Sequence, residues 1–345
     1  MASEVGCMKI PHNPWRLCVA PMLDWTDRHC RSFHRLLSPH ARLYSEMVTT
    51  GALLHGDRAR HLDFDPGEHP VVLQLGGSDP KELAQCARFG QAWGYDEINL
   101  NCGCPSQRVQ RGSFGACLMA EPRLVADCVR AMKESVSIPV TVKHRIGIDQ
   151  NEDYALLRDF VGHSFEAGCE VFLVHARNAW LHGLSPKENR EVPPLRYEIV
   201  QRLKREFPDA TVVLNGGLAT PAQVAHAMQQ FDGVMLGRIA YQQPYFLAVM
   251  EQVLFGGRTL PVDGPLAWVE PASRYLERAV AHGATPWSVI RHALGLLHGC
   301  PGARTWRRRL SSSEFVALHG VDSLRMAAAD LMPRATPWPA DFANA

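Results

Sequence analysis

The sequence predicts an α/β fold, a (β/α)8 TIM barrel followed by a small all-helical domain, and three observations lead to it. Short apolar runs recur eight times between residues 17 and 236. Segments with helical spacing and helix start signals separate them. Beyond about Pro261 the strand rhythm stops and only helical patterns continue.

The predicted strands are 17–20, 43–47, 71–75, 96–100, 139–145, 171–175, 211–215 and 233–236. Most are continuous apolar runs rather than alternating ones, as expected of parallel strands covered on both faces. Thr220-Pro221-Ala-Gln223 supplies an N-cap, a proline at the first helical position and the glutamine of a capping box. Asp79-Pro80-Lys-Glu82 repeats that grammar ahead of a helix running to about Ala92. Residues 152–167 are predicted to put Leu156, Leu157, Phe160 and Val161 on one helical face, with Gly168 as the stop.

A doubly wound open sheet is the competing architecture. It would carry a glycine-rich phosphate loop after the first strand, where this chain has Ala20-Pro21-Met22-Leu23. The barrel is therefore preferred, with residues 1–257 as the barrel, 258–333 as a helical domain and 334–345 as a flexible tail. The helical patterns lie at Leu266–Ala281 and Pro286–His298, followed by Arg304-Thr-Trp-Arg307-Arg308-Arg309.

A chain of 345 residues with 46% hydrophobic and 21% charged residues reads as an ordered globular protein. Its net charge of +1 neither demands nor excludes a nucleic-acid partner. Met1 to Arg16 has no apolar core of a signal peptide, and no run approaches the roughly 18–20 apolar residues of a membrane span. Ten scattered cysteines look like reduced thiols of a cytoplasmic protein, not a disulfide framework. Nothing points to an obligate protein partner.

Barrel active sites lie where strands end at the C-terminal face. That rule selects Pro21, Met22, Gln74, Asn99, Cys102, Lys143, Arg145, His175, Asn215-Gly216-Gly217 and Gly237-Arg238. The last two groups end strands seven and eight, the usual phosphate position, where glycine lets an anion approach backbone N–H groups. Turn glycines and a surface arginine are the plainer alternative. Lys143 and Arg145 share a strand face and call for an anion, such as a reduced flavin; a lysine reaching solvent at the rim is the alternative. His175 gains weight only from its position.

Cys102, in the run Asn99-Leu-Asn-Cys-Gly-Cys-Pro105, is the predicted proton donor, since a thiol can protonate a developing carbanion. Cys18, Cys86, Cys128 and Cys169 read as inert buried thiols. Cys102-x-Cys104 with Cys117 matches no zinc or cluster spacing, so no metal is expected.

Taken together, Ala20-Pro-Met22, Glu46-Met47, Gln74-Leu-Gly76, Glu97 to Pro105, Gly112-Ser-Phe-Gly115-Ala, Val142-Lys143-His-Arg145, His175-Ala-Arg177, Asn215-Gly-Gly217 and Gly237-Arg238 resemble the tRNA-dihydrouridine synthases over roughly residues 16–310. The runs His175–Trp180, Leu184–Arg190 and Pro301–Arg307 resemble the bacterial A-type branch, which acts at positions 20 and 20a of the tRNA D-loop. Asn178 departs from that pattern, where a lysine is expected. The resemblance implies an FMN barrel reduced by NADPH. It implies flavin contacts from Pro21, Met22, Leu23, Gln74, Lys143, His175, Asn215, Gly216, Gly217, Gly237 and Arg238. Asn99, Lys187, Arg190, Arg304 and Arg307 would face tRNA. Two other functions compete with this one: a reductase or dehydrogenase of a free pyrimidine, and a tRNA-binding factor without catalysis.

Overall fold

The structure is a computed structural model that describes residues 13–106, 109, 112–151, 153–256, 260–261 and 264–331. Residues 1–12, the 257/258 domain boundary and the tail 334–345 lie outside the described residues.

Eight parallel strands close into a barrel in sequence order. They are β1 (Leu17–Val19), β2 (Arg42–Thr49), β3 (Val71–Gly76), β4 (Glu97–Cys102), β5 (Val140–Arg145), β6 (Val171–His175), β7 (Thr211–Asn215) and β8 (Gly233–Leu236). All eight predicted strands are present. β4 runs two residues further than its apolar run, and that extension changes the reading of the site.

Strand alternation sorts side chains into two cores. Cys18, Ala20, Tyr44, Val72, Val171, Leu173, Val213 and Met235 pack inside the barrel. Residues of the opposite parity, such as Leu17, Leu73, Ile98, Leu100 and Val142, face the surrounding helices. Neighbouring strands hold these layers in step: Gln74 lies beside Asn99, Asn99 beside Thr141, and Arg145 beside His175.

The outer layer comprises α1 (Arg28–Leu37), α2 (Thr50–His55), α3 (Arg58–Leu62), α4 (Pro80–Trp93), α5 (Pro122–Ser135), α6 (Tyr154–Glu166), α7 (Tyr197–Glu206), α8 (Pro221–Met228), α9 (Arg238–Gln242) and α10 (Tyr245–Phe255). The Thr220–Gln223 capping box forms in both directions, a device that contributes about 1 kcal/mol. Asp79 caps α4 through the amides of Lys81 and Glu82. In α6 the buried stripe is Leu157, Phe160, Val161 and Ser164. Leu156 is not part of it. It is 53% exposed, because one residue back from Leu157 is a turn of about 100° away from the core.

Beyond the barrel come α11 (Val269–Ala281), α12 (Pro286–Ile290), α13 (Ala303–Leu310), α14 (Ser313–His319) and α15 (Ser323–Ala329). The helix expected over Pro286–His298 is shorter. It tightens to a 3-10 turn at Arg291–Ala293, and Gly295 then presses against the Gln242 carbonyl, where a Cβ would sit 2.4 Å from the oxygen. These helices dock on α1 and the loop before it. The Trp268 indole donates to the Leu36 carbonyl at 2.9 Å, and the Tyr275 hydroxyl meets His29 Nδ1 at 2.8 Å. Arg291 reaches the Asp24 carbonyl and the Asp27 carboxylate. Among the described residues no helix is long and apolar enough to cross a membrane.

Candidate active site

Inside the barrel, Gln74 of β3, Glu97, Asn99 and Asn101 of β4 and Thr141 of β5 are bonded to one another. The Glu97 carboxylate lies near the barrel floor and is fully buried. It accepts hydrogen bonds from the Trp15 indole at 2.8 Å, Arg42 at 2.9 Å, the Tyr44 hydroxyl at 2.9 Å and the Thr141 hydroxyl at 2.6 Å. Above it, Asn99 donates to Thr141 Oγ1 at 2.8 Å and accepts from Gln74 Nε2 at 2.7 Å. Asn101 donates to Gln74 Oε1 at 2.8 Å.

This arrangement removes Asn99 from the predicted tRNA face. It is fully buried inside the barrel, and both ends of its amide are engaged. Gln74 is buried beside it, with its carboxamide bridging Asn99 and Asn101.

Cys102 is also displaced from its predicted role. As the last residue of β4 it shares the outward parity of Ile98 and Leu100, and it packs in the layer between barrel and helices with Cys128 and Cys169. It lies beside His144, whose ring contacts Phe160 and Phe172. It is fully buried, and burial pushes its thiol well above the usual range, with the neighbouring cysteines adding to the effect. A thiol there has no path to a substrate at the mouth. Cys102 joins Cys18, Cys86, Cys128 and Cys169, all buried as expected.

Cys104 follows the C-terminal end of β4, on the mouth side of the barrel. The Asn101 side-chain oxygen accepts from the amides of Gly103 at 3.2 Å and Cys104 at 3.0 Å, and this turn ends β4 and swings the chain over the barrel. Cys104 is half-buried and lies within electrostatic reach of Lys143, Arg145 and Arg190. The Ala116 amide holds its carbonyl at 2.9 Å.

The surrounding field is cationic. Lys143 donates to Asn215 Oδ1 at 3.2 Å, and Asn215 donates to the Met235 carbonyl at 2.7 Å. Burial, followed by the nearby Arg145, pushes the Lys143 pKa down to about 8. Burial and four cations, Arg145, Lys143, Arg177 and Arg190, push His175 well below its ordinary value, so it is neutral at pH 7. Arg238 lies nearby and pairs with Glu191.

Arg145 does not serve as the second anion ligand that its strand face suggested. It is buried, and its guanidinium donates to the carbonyls of Gly103 at 3.0 Å, Asn178 at 2.9 Å and Asn189 at 2.9 Å. It therefore pins the loops after β4 and β6 to each other.

Gly216 and Gly217 take φ of +113° and +73°. A Cβ on Gly216 would lie 2.7 Å from the His175 ring, and one on Gly217 would lie 2.3 Å from Leu195. Gly237, at the start of α9, has open space where a Cβ would be. Pro21 and Met22 follow β1 at the rim, where Leu23 is 67% exposed. These residues fit a phosphate-bearing cofactor: a glycine turn, a cation at each side and a neutral histidine.

Residues 18–330 match the family described as Dihydrouridine synthase (Dus). The chain belongs to the dihydrouridine synthase family. A tRNA-dihydrouridine(20/20a) synthase of Pseudomonas syringae pv. tomato is 59% identical over 296 residues, 86% of this chain and 88% of that protein. The protein of the same name from Vibrio vulnificus is 54% identical over 317 residues, 92% of this chain and 97% of its own. One from Salmonella typhi is 56% identical over 310 residues, 90% and 92% of the two chains.

In this dihydrouridine synthase family member, Lys187, Arg190, Arg304 and Arg307 are exposed. Arg304 and Arg307 share α13 three residues apart, which puts them on neighbouring positions of one face. Asn178, the departure from the A-type pattern, gives its amide hydrogens to the carbonyls of Asp149 and Asn151 at 3.0 and 2.9 Å. It braces the loop after β5. Sequence reading missed Cys104, though the signal was present: the polar Glu97, Asn99 and Asn101 alternate with the apolar Ile98 and Leu100, which assigns Cys102 outward.

Proposed function

We propose that this protein reduces uridine in the tRNA D-loop, at positions 20 and 20a, to 5,6-dihydrouridine, with FMN as cofactor and NADPH as the source of the electron pair. The observation that carries the reading is Cys104, a half-buried thiol held just beyond β4 by the Asn101 side chain, with its sulfur 3.6 Å from Ser106 Oγ and Lys143 and Arg190 within electrostatic reach.

FMN would be held by Pro21, Met22 and Leu23 at the rim, Gln74 below, and Lys143 and His175 at the ring. Its phosphate would meet Asn215, Gly216, Gly217, Gly237 and Arg238. Reduced flavin, when bound, supplies the hydride that reaches C6 of uracil. The C5=C6 bond is conjugated to the C4 carbonyl, so negative charge develops towards C5 and O4. The Cys104 thiol gives its proton to C5, completing one hydride and one proton across the bond, and solvent returns a proton to sulfur. Lys143 keeps its proton at Nζ and holds positive charge beside the site.

The uridine must leave its stack, which costs a few kcal/mol and least in a loop. Lys187, Arg190, Arg304 and Arg307 would contact the tRNA backbone, with 258–333 as the domain that grips it. A cytoplasmic location follows from that substrate.

The deciding experiment is nucleoside analysis of individual tRNAs from cells lacking the gene, paired with assays on tRNA without dihydrouridine and on free uridine. Loss of dihydrouridine at 20 and 20a supports the reading. Turnover of the free base alone would replace it with a free-pyrimidine reductase. Colourless protein that cannot be reconstituted with FMN would favour a binding factor.

A further inference from the structure

We propose that Glu97 is a positioning residue whose carboxylate sets the polarity of a hydrogen-bonded chain through Thr141, Asn99, Gln74 and Asn101, and that this chain holds the Cys104 backbone at the mouth. The proposal rests on the reading of Cys104 as proton donor.

The chain is continuous and one-directional. Glu97 Oε2 accepts from Trp15 Nε1 and Arg42, groups that can only donate. Glu97 Oε1 accepts from Tyr44 and Thr141. Because the Thr141 hydroxyl spends its proton on Glu97, its oxygen is left to accept, and Asn99 must present Nδ2 to it. Asn99 Oδ1 then faces Gln74 Nε2, Gln74 Oε1 faces Asn101 Nδ2, and Asn101 Oδ1 is left facing the amides of Gly103 and Cys104. Each amide orientation is dictated by the one before it. All five members are buried, so water does not offer an alternative partner.

Glutamine at position 97 would run the chain backwards. Its oxygen must face Trp15 and Arg42, so its NH2 faces Thr141. Thr141 then donates onward, Asn99 and Gln74 turn over, and Asn101 presents NH2 to the Cys104 N–H. Two donors then face each other and the turn loses its anchor. An aspartate at position 101 is the complement: it accepts from the turn and from the reversed Gln74 alike.

The test uses full-length protein loaded with FMN and single-turnover reduction of tRNA lacking dihydrouridine. Glu97→Gln is expected to slow the chemical step roughly tenfold or more, equivalent to about 1.4 kcal/mol, while KM for tRNA holds. Glu97→Asp should recover part of the rate. Asn101→Asp should be slow alone, yet the Glu97→Gln/Asn101→Asp double variant should outperform both single variants. A fall in stability alone would not produce that crossover. Thr141→Val cuts the chain at a near-isosteric link and should slow the step as well, which covers the case of a poorly folding Glu97 variant. Wild-type rates for Glu97→Gln or Thr141→Val, or multiplying losses in the double variant, overturn the relay. Full activity of Cys104→Ala instead overturns the donor assignment on which it rests. An inactive Cys104→Ala with an unimpaired Glu97→Gln leaves that assignment standing and removes only the relay.

Discussion

The Asn101 side-chain oxygen accepts the Cys104 amide at 3.0 Å, and this hydrogen bond turns the chain just after Cys102 has been buried behind β4. Two cysteines separated by one glycine thus lie on opposite sides of the barrel wall. One shares the buried layer of Cys128 and Cys169; the other is half-buried, its sulfur 3.6 Å from Ser106 Oγ, within electrostatic reach of Lys143, Arg145 and Arg190.

Substitution separates them. Cys104→Ala should keep FMN and tRNA binding and lose product formation by about 10²–10⁴-fold, the span of a positioned acid. Cys102→Ala should retain turnover and lose a modest amount of thermal stability, because it removes only a buried sulfur. Rapid-mix nucleoside analysis and melting curves measure both. Full activity of Cys104→Ala would withdraw the proton-donor role.

Lys143 makes the activity pH-dependent. Burial and Arg145 bring its pKa down to about 8, so the free enzyme carries this cation below that pH and loses it above. If the cation supports an anionic site, that anion raises the Lys143 pKa, and kcat/KM for NADPH-supported tRNA reduction should fall on an alkaline limb above about 8. Lys143→Met should lower kcat/KM and abolish that alkaline limb. A limb that persists unchanged in Lys143→Met belongs to another group.

Gly216 tests the proposed phosphate turn. Its φ of +113° is one that side chains avoid, and a Cβ would lie 2.7 Å from the His175 ring. Gly216→Ala should therefore cost roughly 1–3 kcal/mol of stability, displace His175 and weaken FMN binding. Flavin titration by fluorescence reads this directly. Wild-type affinity would show that the turn lies away from the cofactor.

The barrel was legible because eight buried strands leave eight apolar runs, and a parallel sheet cannot hide that rhythm. The rim glycines were legible for a similar reason: chain order alone puts the ends of β7 and β8 side by side. Cys102 was misread because β4 continues into polar residues, Asn99 and Asn101, whose lumenal partners come from β3 and β5. Hydrophobicity ends the strand at Leu100, whereas hydrogen bonds between strands carry it to Cys102. Arg145 was misread likewise. Its partners are loop carbonyls 33 to 44 residues away along the chain, and carbonyls leave no trace in a side-chain sequence.

Arg304 and Arg307 provide the test of tRNA binding. Both are exposed on α13. The neighbouring Arg309 is committed to Asp330 at 2.6 Å and to the Ala327 carbonyl, so Arg309 ties the helix to α15 and the segment after it while Arg304, Arg307 and Arg308 stay exposed. Cations meeting phosphates release counterions, and removing one arginine–phosphate pair should flatten the salt dependence of binding by about one in log–log slope. Arg304→Ala with Arg307→Ala should therefore weaken tRNA binding most at low salt and reduce the slope by about two. The flavin should stay bound and NADPH oxidation without tRNA should continue, because neither residue is assigned to the barrel mouth. Arg309→Ala should instead lower stability by roughly 1 kcal/mol or less, as an exposed ion pair does. An unchanged salt slope in the double variant would mean that α13 carries charge without meeting the RNA.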